Sequence, residues 1–191
     1  MTVLRFAGAQ DAEALAAIYA PYVENTTVTF EYTPPDAEEF RRRLAEIQKD
    51  MPWLVVEIDG EVVGYAYAAH FHERAAYAWS AETSVYLAEN QHRKGLGSML
   101  YRAVVHMLQA QGYRTVYALV SHPNPASEAF HMAMGFKPVG VLHRAGCKLG
   151  KWLDLAYWEL PLADGVPENP SPPLPVSSIS ETRLLEIFCG L

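Results

Sequence analysis

The sequence predicts a mixed α/β (α+β) domain, in which a sheet is covered by helices on both faces. Stretches in which apolar residues recur with a helical period alternate along the chain with stretches typical of strands. Half of the 191 residues are hydrophobic, which is enough to form a sizeable core. Residues 161–175 contain six of the thirteen prolines, so we expect one domain over residues 1–162 and a Pro-rich C-terminal extension over 163–191.

The first part of the chain is predicted to hold a strand, two helices and a hairpin. The strand covers Val3 to Phe6, and Asp11 is a candidate N-cap of the first helix. Asp36 and Glu39 resemble a capping box at the start of the second helix. The dipeptide Asp59-Gly60 separates two β-rich runs, as is typical of a two-residue hairpin turn.

The second part is predicted to continue as a strand, a helix, a strand, a short helix and final strands. In the strand SAETSVYLAE, alternation places Glu82, Ser84 and Tyr86 on one face. The long helix runs from about Gly95 to Gln111. The later elements are a strand over TVYALVS, a helix over residues 125–134, and one or two strands over residues 139–162.

Composition argues against several classes of protein. A net charge of -7 is unfavourable for non-specific nucleic-acid binding. No apolar run reaches the ~20 residues of a membrane helix, and the N-terminus shows no signal-peptide pattern. Cys147 and Cys189 are too few for a disulfide framework, so we expect a cytoplasmic protein. The histidines lack metal-ligand spacing, so we expect no metal.

The stretch NQHRKGLGSMLYRAV, residues 90–104, combines cations and glycines at the start of a helix. The first N–H groups of a helix have no partner within it, and the helix dipole adds partial positive charge there. Glycines allow a phosphate to approach the backbone closely. Since Arg93 and Lys94 add full charges, the stretch is predicted to bind phosphates. It matches neither a Walker loop nor a dinucleotide-binding fingerprint.

The segment from Gln91 to Gly97 resembles the Q/R-x-x-G-x-G/A signature of the GNAT superfamily of N-acetyltransferases, which holds the pyrophosphate of acetyl-CoA. The segment from Asn124 through His131 to Gly135-Phe136 resembles its second CoA-contacting segment. PWLVVEIDGEVVGYAYA, AYAWSAETSVYL and HRKGLGSMLY are similar to the phosphinothricin and methionine sulfoximine N-acetyltransferase family, and the resemblance covers about Val3 to Leu162.

This resemblance implies a GNAT fold with a mixed, mostly antiparallel sheet, acetyl-CoA as co-substrate, and a homodimer. It implies that the strand ending at Leu87 diverges from its neighbour and offers backbone N–H groups to the thioester. The residues that it implies for acetyl-CoA binding are Val85, Tyr86, Leu87, Arg93, Lys94, Gly95, Leu96, Gly97, Ser98, Asn124 and Ser127.

Acetyl transfer needs a neutral amine, and most amines are protonated at pH 7. Glu82 lies in the strand before the phosphate-binding turn, among aromatic residues, and is our candidate general base. The resemblance places the family's catalytic glutamate at the same position. His131 stands where many superfamily members have a tyrosine, and could donate a proton to the leaving thiolate or relay one through water.

The family resemblance implies a small anionic amino-acid analogue as the amine substrate, of the phosphinothricin, methionine sulfoximine or methionine sulfone type. Arg74, just upstream of Glu82, is our candidate for its anionic end, and Phe30 and Thr83 are candidate pocket walls. Two alternatives remain open: an acetyltransferase of protein N-termini or lysines, and a CoA-binding module without turnover. The sequence does not select the physiological amine.

Overall fold

The structure, a computed structural model, describes residues 1–165 and 167–190. The strands are β1 (Thr2–Phe6), β2 (Trp53–Ile58), β3 (Glu61–His70), β4 (Ser80–Leu87), β5 (Thr115–His122), β6 (Lys137–Lys148) and β7 (Lys151–Pro161). The α-helices are α1 (Ala12–Asn25), α2 (Ala37–Ile47), α3 (Leu96–Gln111), α4 (Pro125–Ala133) and α5 (Glu181–Cys189).

The described strands form one sheet in the order β1-β2-β3-β4-β5-β7-β6. Neighbouring strands are antiparallel except β4 and β5, which are parallel. The predicted mixed, mostly antiparallel sheet is therefore confirmed. The parallel pair is joined by α3, as a crossover connection requires.

Alternating residues of the central strands pack into two separate cores, one on each face of the sheet. Trp53 and Val55 of β2 pack with the apolar residues of α1 and α2, whereas Leu54 and Val56 pack with those of α3. The period of two along a strand thus supplies both faces with apolar side chains. As predicted, helices cover both faces of the sheet. We call the two sides the α1/α2 face and the α3 face.

Most local predictions agree with the structure, and two need correction. The Asp36 side chain accepts a hydrogen bond from Glu39 N and caps α2 as predicted. Asp11 precedes α1, but its carboxylate binds the Arg5 guanidinium at 2.7 Å instead of capping the helix. The last strands, expected as one or two over residues 139–162, are two and begin at Lys137, and their turn lies at Leu149-Gly150.

The described part of the Pro-rich extension folds back on the domain. Leu174 N donates to Gln111 O at 2.8 Å, and Trp79 Nε1 donates to Ser171 O at 2.9 Å. Ile187 of α5 is 3% exposed and packs in the core on the α3 face. Segment 167–190 therefore contributes to the same core as the domain. No helix in the described part is long and apolar enough to cross a membrane.

Candidate active site

β4 and β5 separate along their length and open a cleft in the middle of the sheet. Only three residue pairs join them, and the last pair is Glu82 with Tyr117. Beyond that pair the strands run on to Leu87 and His122 without pairing to each other. The gap holds a cleft of about 500 Å³, which both strands, α3 and α4 line. Backbone groups of β4 that would otherwise bond to β5 face this cleft.

The phosphate-binding turn predicted from the sequence lies at the mouth of the cleft. Arg93 and Gly95 have positive φ angles of 62° and 80°, and α3 begins at Leu96. Glycine adopts this left-handed conformation without strain, which fits its place at the N-cap of α3. No side chain caps this helix end, so its first N–H groups have no side-chain partner, and Gly95, Gly97 and Ser98 line the cleft. Arg93 and Lys94 are exposed beside them.

The far side of the cleft is built by the start of α4. Asn124 Oδ1 accepts a hydrogen bond from Ser127 N at 3.2 Å and caps the helix. His131, one turn later, is buried, and Nδ1 lies 2.8 Å from Ser127 O. Because a carbonyl can only accept, Nδ1 carries the proton and Nε2 keeps its lone pair in the neutral ring. Burial lowers the pKa of His131, so it is neutral near pH 7.

Glu82 occupies the point where β4 and β5 part. It shares its face with Tyr86, which packs among the aromatic rings of α1 on the α1/α2 face. Its carboxyl is partly buried, and burial raises its pKa. A raised pKa makes the carboxylate a stronger base than a solvated glutamate.

The structure brings together most of the residues that the sequence singled out for acetyl-CoA. Those that line the cleft are Val85, Tyr86, Leu87, Arg93, Gly95, Gly97, Ser98, Asn124 and Ser127, and the candidate catalytic residue His131 lines it as well. Lys94 lies in the same turn, outside the lining, and its Nζ donates to Gln91 Oε1 at 3.0 Å. The Leu96 side chain is buried in the core, so only its backbone can contact a ligand.

Thr83, a candidate pocket wall, is among the residues that line the cleft. Its hydroxyl lies 2.6 Å from the Tyr101 hydroxyl of α3 and its side chain is buried. Because alternate residues of a strand point to opposite faces, it faces away from the side that carries Glu82. The side chain thus belongs to the α3 face, and its role as a pocket wall stays a prediction.

Phe30 and Arg74 lie outside the lining of the cleft, as does Glu82. The Phe30 ring lies against Gly146 of β6, where a Cβ would come within 2.6 Å of it. Its loop is held to β6 by Lys148 Nζ, which donates to Thr29 O at 2.7 Å. Arg74 is exposed in the loop between β3 and β4, and it forms no ion pair with another residue of the described ranges. Their substrate roles stay predictions.

Several cleft residues were missed by the sequence reasoning. Tyr22 and His92 line the cleft, and the Tyr22 hydroxyl donates to Leu87 O at 2.7 Å, which fixes the end of β4. Val28 and Phe130 also line it. In the sequence, Tyr22 only continues the apolar face of the first predicted helix. Its neighbours across the fold could not be read from that pattern.

Within residues 1–165 and 167–190, no three His, Cys, Asp or Glu side chains are grouped so that they could hold a metal ion. The two cysteines are exposed free thiols.

Comparison with known proteins identifies the fold and the family. The model of the acetyltransferase (GNAT) domain matches residues 4–157. A phosphinothricin N-acetyltransferase of Streptomyces viridochromogenes is 37% identical over 93% of this chain and 94% of its own length. An L-methionine sulfoximine/L-methionine sulfone acetyltransferase of Pseudomonas paraeruginosa is 34% identical over 83% of this chain and 94% of its own.

Solved structures give the same result. A GNAT superfamily phosphinothricin acetyltransferase from Sinorhizobium meliloti, in complex with AcCoA, is 36% identical and superposes with a TM-score of 0.85. The match covers 89% of this chain and 93% of the solved one. The resemblance drawn from the sequence motifs is therefore confirmed, and the chain is an N-acetyltransferase that belongs to the GNAT family.

Proposed function

We propose that this protein transfers the acetyl group of acetyl-CoA to the amine of a small amino-acid analogue that carries a carboxylate. The acceptor would be of the phosphinothricin, methionine sulfoximine or methionine sulfone type. One observation carries the proposal: an uncapped, cation-flanked helix start opens into a gap between two strands, and Glu82 stands where that gap closes. The names of the similar proteins support the acceptor class.

The groups that line the cleft fit acetyl-CoA, the acetyl donor, along its whole length. The pyrophosphate of acetyl-CoA would accept hydrogen bonds from the N–H groups at the start of α3, next to Arg93. The pantetheine arm would then extend between β4 and β5. There the unpaired N–H groups around Val85 to Leu87 can donate to the thioester carbonyl oxygen, on which negative charge develops.

Glu82 would act as the general base, directly or through a water. The amine must lose a proton as its nitrogen bonds to the carbonyl carbon and the C–S bond breaks. The burial that raises the pKa of Glu82 brings the carboxylate closer to the pKa of the amine, which makes the transfer less uphill. At pH values above this raised pKa, the Glu82 carboxylate is ionised and can accept the proton of the amine.

His131 would return a proton to the leaving thiolate as a relay. Its Nδ1 proton is held by the Ser127 carbonyl, and the lowered pKa leaves Nε2 unprotonated at neutral pH. A neutral ring of this kind can accept a hydrogen bond at Nε2 from a water, which orients the other O–H of that water towards the sulfur. The water then gives this proton to the thiolate and is itself reprotonated from solvent. This arrangement favours the relay over direct donation, which would need an imidazolium at the start.

Arg74 is the proposed partner of the acceptor's carboxylate. Its loop leads into β4 and so towards Glu82, and a guanidinium can hold a carboxylate with two parallel hydrogen bonds. The loop is exposed around Arg74, so its closure over an acceptor is compatible with the fold. Phe30, which lies against β6, would form part of the wall of the acceptor pocket.

We also propose that the protein forms a homodimer through the β6–β7 hairpin. β6 is an edge strand, and Val139, Leu142 and Trp152 of this hairpin are 56%, 51% and 68% exposed. Exposed apolar groups on one element are typical of an association surface. Val139→Asp should convert a dimer to a monomer in sedimentation experiments. A wild-type protein that sediments as a monomer would contradict the proposal.

Thiol release from acetyl-CoA, measured with a panel of amines, tests the function. Release with phosphinothricin, methionine sulfoximine or methionine sulfone supports it. Release only with peptides would establish the protein N-terminal or lysine alternative. Binding of acetyl-CoA without release for any amine would identify a module without turnover.

A further inference from the structure

One row of side chains crosses the sheet on the face that carries Glu82. The strand register pairs Glu82 with Tyr117, Tyr117 with Glu159, and Glu159 with Lys137. Cross-strand partners lie on the same face, and strands are spaced about 4.8 Å apart. At two strand spacings, Glu82 and Glu159 are therefore roughly 10 Å apart, with the Tyr117 ring between them.

The packing of neighbouring residues supports this orientation of Tyr117. Val116 and Ala118, its neighbours along β5, are buried in the core on the α3 face, so Tyr117 points to the other face. The Phe71 ring, from the loop after β3, stacks on it with 4.3 Å between centroids and 24° between planes. Burial and the nearby Glu159 carboxylate raise the pKa of Tyr117.

The charges of the row are unfavourable for an anionic group. Glu159 forms no ion pair within 4.0 Å among the described residues, and Lys137 stands farther along the row, exposed on the edge strand. A ligand side chain lying on the Tyr117 ring would thus have a carboxylate on each side. A phosphinate there would be repelled, whereas an uncharged group could pack against the ring.

We propose that three members of this row, Glu82, Tyr117 and Glu159, select the acceptor by the charge of its side chain. They favour an uncharged side chain, such as that of methionine sulfone, over an anionic one, such as that of phosphinothricin. The inference rests on the proposed function, because it assumes that the amine is placed at Glu82. In this arrangement the Tyr117 ring packs against the acceptor's side chain, and Glu159 sets the selectivity by repulsion.

The test compares kcat/KM for L-methionine sulfone and for phosphinothricin in the wild-type protein and in Glu159→Gln. We expect the wild type to prefer methionine sulfone. Glu159→Gln should raise kcat/KM for phosphinothricin about 3- to 10-fold relative to kcat/KM for methionine sulfone, because it removes one charge near the phosphinate. The gain should shrink at high salt. Glu61→Gln, an exposed acid at the start of β3, makes the same change in net charge away from the row.

A second variant examines the ring itself. Tyr117→Val should raise KM for methionine sulfone several-fold and leave KM for acetyl-CoA unchanged, because the ring faces away from the α3 face. The proposal is overturned if the wild type prefers phosphinothricin, if Glu159→Gln changes both substrates equally, or if Glu61→Gln has the same effect. If neither of these amines nor methionine sulfoximine is acetylated at all, the proposed function itself fails.

Discussion

Gly97 lies where a side chain would enter the cleft without disturbing the fold. A Cβ built on this residue would meet Leu87 Cδ1 at 3.5 Å and Phe130 Cε2 at 3.7 Å, which are ordinary van der Waals distances. Its φ angle is not in the left-handed region, in contrast to that of Gly95. Gly97→Val should therefore fold, and its branched side chain should stand between the end of β4 and α4, above the first free N–H groups of α3.

The substitution Gly97→Val should affect stability and acetyl-CoA affinity in opposite directions. Glycine in a helix costs up to about 1 kcal/mol relative to alanine and somewhat less relative to valine, so the variant should be as stable as wild type or slightly more stable. Acetyl-CoA should lose part of its hydrogen bonding to the helix start. Hydrogen bonds to charged groups are worth about 1.5–3 kcal/mol, so the dissociation constant should rise about 10- to 100-fold.

Calorimetric titration with acetyl-CoA and thermal unfolding of the free protein measure the two effects separately. Gly97→Ala should give the same signs with a smaller loss of affinity. Gly140→Val is the matched control, because Gly140 lies in β6 with nothing within 4 Å of its Cβ position. A folded Gly97→Val protein that binds acetyl-CoA as tightly as wild type would refute the placement of the pyrophosphate. A lower melting temperature would refute the steric argument.

Four further predictions address the base, the acceptor and the extension. Glu82→Gln should lower kcat about 10²–10⁴-fold with acetyl-CoA binding intact, and near wild-type turnover would rule Glu82 out as base. In the wild type, activity should fall as pH drops through a pKa raised by burial, above the ordinary value of about 4.3. Arg74→Ala should raise KM for carboxylate-bearing acceptors about 10- to 100-fold, and an equal effect on a carboxamide analogue would show that Arg74 only shapes its loop. Ile187→Ala should destabilise the fold by about 2–5 kcal/mol, whereas Leu185→Ala, at a site 63% exposed, should cost little; equal effects would mean that α5 is not docked.

The parts of the site that are local in sequence were predictable from it. The turn at Arg93 to Gly97 could be recognised because its chemistry is contained in a few consecutive residues: cations, glycines and a helix start. The same holds for the Asp36 cap and for the strand that carries Glu82. Each of these features is determined by the backbone preference or the period of one short segment, so no knowledge of the remaining fold was needed.

Features that depend on which strands are neighbours could not be predicted in this way. β4 and β5 are separated by the whole of α3, and nothing in either strand's own sequence states that they pair in parallel for three residues and then separate. That pairing decides that Tyr117 stands beside Glu82, and the pairing of β5 with β7 adds Glu159. The same register places Thr83 on the α3 face, where its hydroxyl meets Tyr101. Shifting the register of β4 by one residue would exchange Glu82 and Thr83 between the faces. The buried Thr83–Tyr101 hydrogen bond therefore helps to keep the carboxylate of Glu82 on the side from which the acceptor would approach, so that a residue on one face of the sheet would support the proposed chemistry on the other.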